Sequence, residues 1–185
     1  MATPPELETA RLALRRLEFD DAPFLVGLLN QPSFLANIGD RGVRNIEDAH
    51  RYLREGPMAM YERFGFGLWH VSRRSDGASI GMCGLLRRDI LPDVDVGYAL
   101  LPEFWGQGYA FEAADAVLKH AEKKFGLARV IAVVSAGNTS SIRVLEKLGM
   151  KFERMVSMRA NEPDVRLYVR TLGPDAGAAR LIISS

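Results

Sequence analysis

The 185-residue chain has one cysteine, three histidines and almost no net charge: 24 Lys and Arg stand against 23 Asp and Glu, for a balance of +1. A single thiol, Cys83, excludes an internal disulfide and a cysteine-rich zinc site. His50, His70 and His120 have no metal-ligand spacing, so no metal is expected. The even charge argues against a broad nucleic-acid surface, although a local basic patch stays open. The longest mostly apolar stretch, residues 80–86, is far short of the roughly 20 residues that span a bilayer. Residues 1–6 have neither a basic n-region nor an apolar h-region, and the expectation is a cytoplasmic protein. With 48% hydrophobic and 25% charged residues, the composition is that of a folded domain. No internal repeat or dividing linker is visible.

Hydrophobic periodicity lays out the elements. Residues 11–17 alternate as a strand, and Asp20-Asp21-Ala22-Pro23 opens a helix with Phe24, Leu25, Leu28 and Leu29 at helical spacing. Residues 31–43 contain Pro32, Gly39 and Gly42 and read mainly as loop. Asn45 caps a second helix that has Glu47 and Asp48 near its positive end. Residues 66–73 and 79–88 flank Ser75-Asp76-Gly77 and predict a hairpin. Residues 93–101 form a strand and residues 108–125 a long helix stopped by Gly126. Residues 130–134 are a continuous apolar run, the mark of a strand covered on both faces. A helix starts at Asn138 and ends at Gly149, and residues 152–158 and 165–171 are the last strands. This order implies a mixed sheet with helices on its faces.

The most informative stretch joins the strand at 93–101 to the long helix: Trp105-Gly106-Gln107-Gly108-Tyr109-Ala110. The first N–H groups of a helix lack internal partners and carry partial positive charge, and glycines let a bulky anion approach the main chain. The pattern reads as a phosphate cradle or as a plain turn. A dinucleotide fingerprint fits poorly, because its third glycine would fall at Phe111; a P-loop Gly-Lys-Ser/Thr is absent. Asn138 and Ser141 stand at the next strand-to-helix junction, as ligand contacts or as helix caps. Arg143 and Lys147 share a helix face, where they meet a phosphate or only solvent.

Taken together, residues 11–17, Asp95-Val96-Gly97-Tyr98, the loop from Trp105 to the helix at Ala113, Asn138-Thr139-Ser140-Ser141 and Leu145-Glu146-Lys147-Leu148-Gly149 resemble the GNAT superfamily of acyl-CoA-dependent N-acetyltransferases. Within it they are similar to the RimJ/RimL-type branch, whose characterised members acetylate protein N-termini. The resemblance implies one α/β domain over residues 9–172, with flexible termini at 1–8 and 173–185. It implies a mostly antiparallel mixed sheet of about seven strands with helices on both faces and a splayed central strand pair. Acetyl-CoA is the implied cosubstrate. Its pyrophosphate would lie on Trp105, Gly106, Gln107, Gly108, Tyr109 and Ala110. Its pantetheine would pair with Ala99, Leu100 and Leu101 and touch Asn138. Trp105 replaces the superfamily's usual Gln or Arg, and Leu145 replaces a tyrosine that often protonates the departing thiolate.

Direct transfer to an amine needs a base, an oxyanion donor and an acid. Neutralising a lysine at pH 7 costs roughly 4–5 kcal/mol, an α-amine only about 1–1.4. A carboxylate acting through water suits the second. Asp95 interrupts an apolar strand and is the candidate base, or else a structural acid paired with an arginine. A main-chain N–H near Leu100 or Leu101 is the candidate oxyanion donor. Ser141 is the candidate acid, with Tyr98 and Tyr168 as other donors. Glu103 reads as exposed, Glu112 as a complement to the helix dipole, Cys83 as a core thiol, and Trp69 and His70 as packed side chains. Arg41, Arg44, Arg51 and Arg54 make a solvated basic face or attract an acidic acceptor. The acceptor is expected to be a protein N-terminus, with a small amine or antibiotic as the alternative. A non-catalytic CoA-binding module and a different nucleotide-binding enzyme are the competing classes. Partners beyond acetyl-CoA and the amine are not expected: no nucleic acid, no membrane, and a monomer or homodimer.

Overall fold

The computed structural model describes residues 4–160 and 162–173. Two short antiparallel strands, β1 (Leu7–Glu8) and β2 (Leu12–Arg16), are followed by four helices: α1 (Ala22–Leu29), α2 (Pro32–Asn37), α3 (Ile46–Leu53) and α4 (Ala59–Phe64). Then come β3 (Leu68–Arg73), β4 (Ser79–Leu86), β5 (Asp95–Leu100), the long helix α5 (Tyr109–Phe125), β6 (Arg129–Ser135), α6 (Thr139–Lys147), β7 (Lys151–Val156) and β8 (Val165–Thr171). One sheet of eight strands runs β1-β2-β3-β4-β5-β6-β8-β7. Every neighbouring pair is antiparallel except β5 and β6.

Local chemistry explains most boundaries. The Asn45 side chain accepts from the Asp48 N–H and starts α3. Pro57 has no N–H to donate, and the chain passes it in a π turn, Arg54–Met58, before resuming as α4. Gly126, with φ +62°, closes α5.

Two elements depart from the sequence reading. α2 lies inside the stretch expected to be loop; Pro32 starts it and buried Phe34 pins it to the layer beneath. Six residues are too few to hold a helix without such packing. β1 lies in the segment expected to be flexible. It adds an eighth strand, and Glu6 beside it bonds Arg16 at 2.9 Å and Lys124 at 3.1 Å. The tail expected from 173 onward lies, after Gly173, outside the described residues.

Apolar side chains cover both faces of the sheet. Ala113, Ala114, Val117, Leu118 and Ala121 of α5 pack with Leu12, Leu14, Val96, Leu100 and Leu145 on one face. Leu25, Leu28, Leu29, Phe34, Ala49 and Leu53 pack with Leu68, Met82 and Ala99 on the other. Burial of each such leucine contributes roughly 1.5–3 kcal/mol. Along β5, Val96 and Leu100 therefore point to the α5 side, while Asp95, Gly97 and Ala99 point to the α1–α4 side.

Candidate active site

β5 and β6 begin together and separate. Only Asp95 and Ile131 stand paired, with the Ile131 N–H donating to the Val94 carbonyl at 3.0 Å. Beyond them the strands diverge, and at the far end of β6 the Ser135 hydroxyl donates to the Asn37 carbonyl of α2 at 3.1 Å. A wedge-shaped gap opens in the middle of the sheet, with α2 along its α1–α4 side.

Strand parity decides which main-chain groups face this gap. The Leu101 N–H donates to Ile80 across β4 at 2.9 Å, and Val94 uses its carbonyl toward β6. Odd positions thus bond to β4, and Tyr98 and Leu100 turn their N–H groups into the gap. This corrects part of the expectation: Leu101 is not a free donor, and Ala99 and Leu101 are tied to β4, leaving Leu100 as the expected residue whose amide faces the gap. The Leu100 carbonyl accepts from Trp105 Nε1 at 2.9 Å, which folds the half-exposed indole back over the strand end.

At the wide end of the gap the chain makes one 3-10 turn, Pro102–Phe104, and then the glycine loop. Gly106 and Gly108 have φ of +72° and +82°, a region that side chains with a Cβ avoid. Gly108 caps α5 without any side-chain acceptor, and the first internal bond is Glu112 N–H to Gly108 carbonyl at 3.0 Å. The N–H groups of Tyr109, Ala110 and Phe111 therefore lack helical partners. A Cβ added at Gly106 would meet nothing within 4 Å, so the loop's outer side is open.

A polar clamp that the sequence reading missed holds this loop. Glu112 Oε1 accepts from the Thr9 hydroxyl at 2.5 Å and the Arg11 N–H at 2.9 Å, and Oε2 accepts from Arg11 Nε at 2.6 Å. Arg11 Nη1 also donates to the Gln107 carbonyl at 3.0 Å, and its guanidinium lies 4.4 Å from the Tyr109 ring centroid. Burial alone would raise the Glu112 carboxyl, yet the bonds from Thr9 and Arg11 hold it below its ordinary value. Glu112 is thus an anchor as well as a dipole complement.

On the other side of the gap, Asn138 Oδ1 accepts from the Ser141 N–H at 3.1 Å and caps α6. The Ser141 hydroxyl is left out of the cap. The Tyr98 hydroxyl donates to the Ser141 carbonyl at 3.3 Å. Burial pushes Tyr98 up to about 12, so it remains a phenol. Leu145 is buried in the core, and Tyr168 is buried on β8. Arg143 and Lys147 are exposed beside Glu146 along a shallow depression on α6. Lys147 Nζ lies 5.9 Å from the ring of Phe111, which places this basic face next to the first turn of α5.

Asp95 sits at the closed end of the gap and is 1% exposed. Arg88 Nε donates to its Oδ1 at 3.2 Å. Burial pushes the carboxyl up to about 6 against the pull of that guanidinium. The other candidates are structural or remote. Glu103 is exposed. Cys83 is buried, and burial pushes its thiol far up. Trp69 packs on His120, while burial takes His70 down to about 4 beside Ser79. No metal-ligand cluster occurs, and no helix is long and apolar enough to cross a membrane, among the described residues.

The geometry meets its likeness in known proteins. Residues 11–151 match the family model described as the acetyltransferase (GNAT) domain. An uncharacterized N-acetyltransferase, YoaA, of Bacillus subtilis (strain 168) is 30% identical over 155 residues, covering 80% of this chain and 84% of that protein. The crystal structure of an acetyltransferase from Agrobacterium tumefaciens str. C58 superposes with TM-score 0.77 at 26% identity, covering 93% of this chain and 96% of that one. An acetyl transferase from Salmonella typhimurium that modifies the N-terminal serine of ribosomal protein L7/L12 shares the fold, with TM-score 0.75 at 16% identity over 89% and 97% of the two chains. A strand pair that parts after one bridge, an open glycine loop at the start of α5 and this family match lead to one conclusion: the chain belongs to the GNAT acetyltransferase family and is an acyltransferase of the acetyl-CoA-dependent N-acetyltransferase type.

Proposed function

We propose that this enzyme acetylates the α-amine of a protein or peptide N-terminus. The observation that carries the reading is the buried Asp95 carboxyl near pH 6 at the closed end of the gap. Such a base is matched to an α-amine with pKa near 7.7–8.0 and poorly matched to a lysine near 10.4. The shared fold of the Salmonella enzyme supports the same acceptor class.

Acetyl-CoA, when bound, supplies the activated acyl thioester. The residues present fit it. The N–H groups of Tyr109, Ala110 and Phe111, with the open face at Gly106 and Gln107, cradle the pyrophosphate, while Trp105 borders it. Arg143 and Lys147, exposed on α6 beside the first turn of α5, would meet the outlying phosphate. Leu100 offers strand-like main-chain pairing to pantetheine, with Asn138 opposite. The two sides of the sheet then divide the chemistry. Asp95 faces the α1–α4 side and takes the amine proton through water. The gap-facing Tyr98 N–H, nearer to Asp95 than Leu100 is, donates to the carbonyl oxygen as charge develops there. The Tyr98 and Ser141 hydroxyls face the α6 side and deliver a proton to the departing sulfur. This pair assumes the task of the tyrosine that Leu145 replaces.

A thiol-release assay with acetyl-CoA tests the reading against peptides with free N-termini, Nα-blocked peptides with free lysines, polyamines and small-molecule antibiotics. Turnover confined to free N-termini is the expected result. Turnover only on small amines overturns the acceptor, and binding of CoA without turnover on any amine overturns the enzyme.

A further inference from the structure

The stretch from α2 to α3 carries four arginines, and the fold accounts for three. Arg44 pairs with Asp40 at 2.5 Å, Arg51 pairs with Asp48 at 2.5 Å, and Arg54 lies 5.9 Å from the Phe19 ring centroid. Arg41 differs. It is partly buried, and among the described residues it has no hydrogen bond and no ion pair. Desolvation pulls its guanidinium below the usual arginine range, and the charged or phenolic groups that it feels are Tyr52, Arg88, Arg159 and Glu162.

Those neighbours do not neutralise it. Arg88 is paired with Asp95 at 3.2 Å, and Arg159 with Glu162 at 2.9 Å. Two pairs cancel, and one positive charge is left over amid three guanidinium groups. Arg41 follows α2, whose Asn37 carbonyl receives Ser135 at the mouth of the gap, and it feels Arg88, which holds Asp95 at the gap's closed end. Asp95 faces this side of the sheet, so on the acetyl-transfer reading the amine arrives here. A partly desolvated, unpaired cation is costly, and a guanidinium matches a carboxylate with two parallel hydrogen bonds.

We propose that Arg41 is an anion subsite of the acceptor cleft, rimmed by Arg88 and Arg159, that receives a carboxylate carried by the amine acceptor. The inference rests on the acetyl-transfer reading and narrows it. Preferred acceptors have an acidic group close to the reacting amine: an acidic side chain next to a peptide N-terminus, or the carboxylate of a free amino acid.

The test compares the wild type with Arg41→Gln and Arg41→Lys on two C-terminally amidated peptides, Ser-Glu and its isostere Ser-Gln, with free glutamate as a third acceptor. In the wild type, kcat/KM for Ser-Glu exceeds that for Ser-Gln by about tenfold or more, mainly through KM. Arg41→Gln brings the ratio near one, and Arg41→Lys restores part of it. Faster turnover of glutamate than of either peptide names the free amino acid as the source. An unchanged ratio in Arg41→Gln overturns the subsite. Calorimetry with the N-acetylated Ser-Glu amide gives a readout without turnover. Weaker binding to Arg41→Gln, with CoA affinity retained as evidence of folding, supports the subsite even if no acceptor is turned over. Equal binding to both proteins overturns it.

Discussion

Arg11 and Glu112, separated by 101 positions in sequence, meet at 2.6 Å and tie the first hairpin to the first turn of α5. The same arginine holds the Gln107 carbonyl, so the hairpin sets the loop whose amides point outward. Glu112→Ala is expected to weaken CoA binding by about tenfold in calorimetry. The pair is partly exposed, so the loss of global stability should stay within about 1 kcal/mol. Unaltered CoA affinity would show that the loop holds its shape without the clamp.

Asp95 connects stability and activity with opposite signs. Its carboxyl is near 6 in the native state and near 3.9 unfolded. Between about pH 4 and pH 6 the native state binds more protons, so stability falls as pH rises through that window and remains lower above it. Asp95→Asn is therefore expected to melt higher than the wild type at pH 7.5, by an amount corresponding to about 3 kcal/mol, with the advantage gone near pH 4. Its kcat/KM should fall by about 10²-fold or more and lose the rise through pH 6. A variant that keeps the wild-type pH profile would remove Asp95 from the base role.

Tyr98→Phe deletes the hydroxyl and leaves the ring. The expected outcome is a fall in kcat of about 10²-fold with CoA affinity nearly intact. Ser141→Ala should produce a smaller fall, because the phenol remains. Equal and minor effects from both would send the proton to the sulfur from solvent.

The loop glycines can be separated from general backbone strain. Gly106→Ala forces an alanine into φ +72°, at a cost of about 1–2 kcal/mol. Gly126→Ala imposes a similar strain at φ +62°, far along the chain at the other end of α5. Thermal melts should drop alike, whereas CoA affinity should fall more than tenfold only in Gly106→Ala. Matching affinities would detach the loop from the pyrophosphate.

Signals confined to a few residues could be read directly from the chain. Asn45 and Asn138 announced their helices because a cap is a contact over three positions, and Gly106 and Gly108 announced a left-handed loop because only glycine enters it without strain. Asp95 stood out as a charge inside an apolar strand, and the order of motifs placed it in a sheet that splits beside it. Contacts that depend on chain segments meeting from afar were silent. α2 exists because Phe34 finds a buried surface, and β1 exists because β2 offers it an edge. The Glu112 clamp needs a partner 101 positions away, and the neutralised neighbours that leave Arg41 alone come from β5 and from the β4–β5 and β7–β8 loops. Which amides of β5 face the gap follows from bonding parity with β4, and only pairing across the sheet sets that parity. Short-range geometry is written in residue types, whereas the charge balance of a cleft is a sum over every element that lines it.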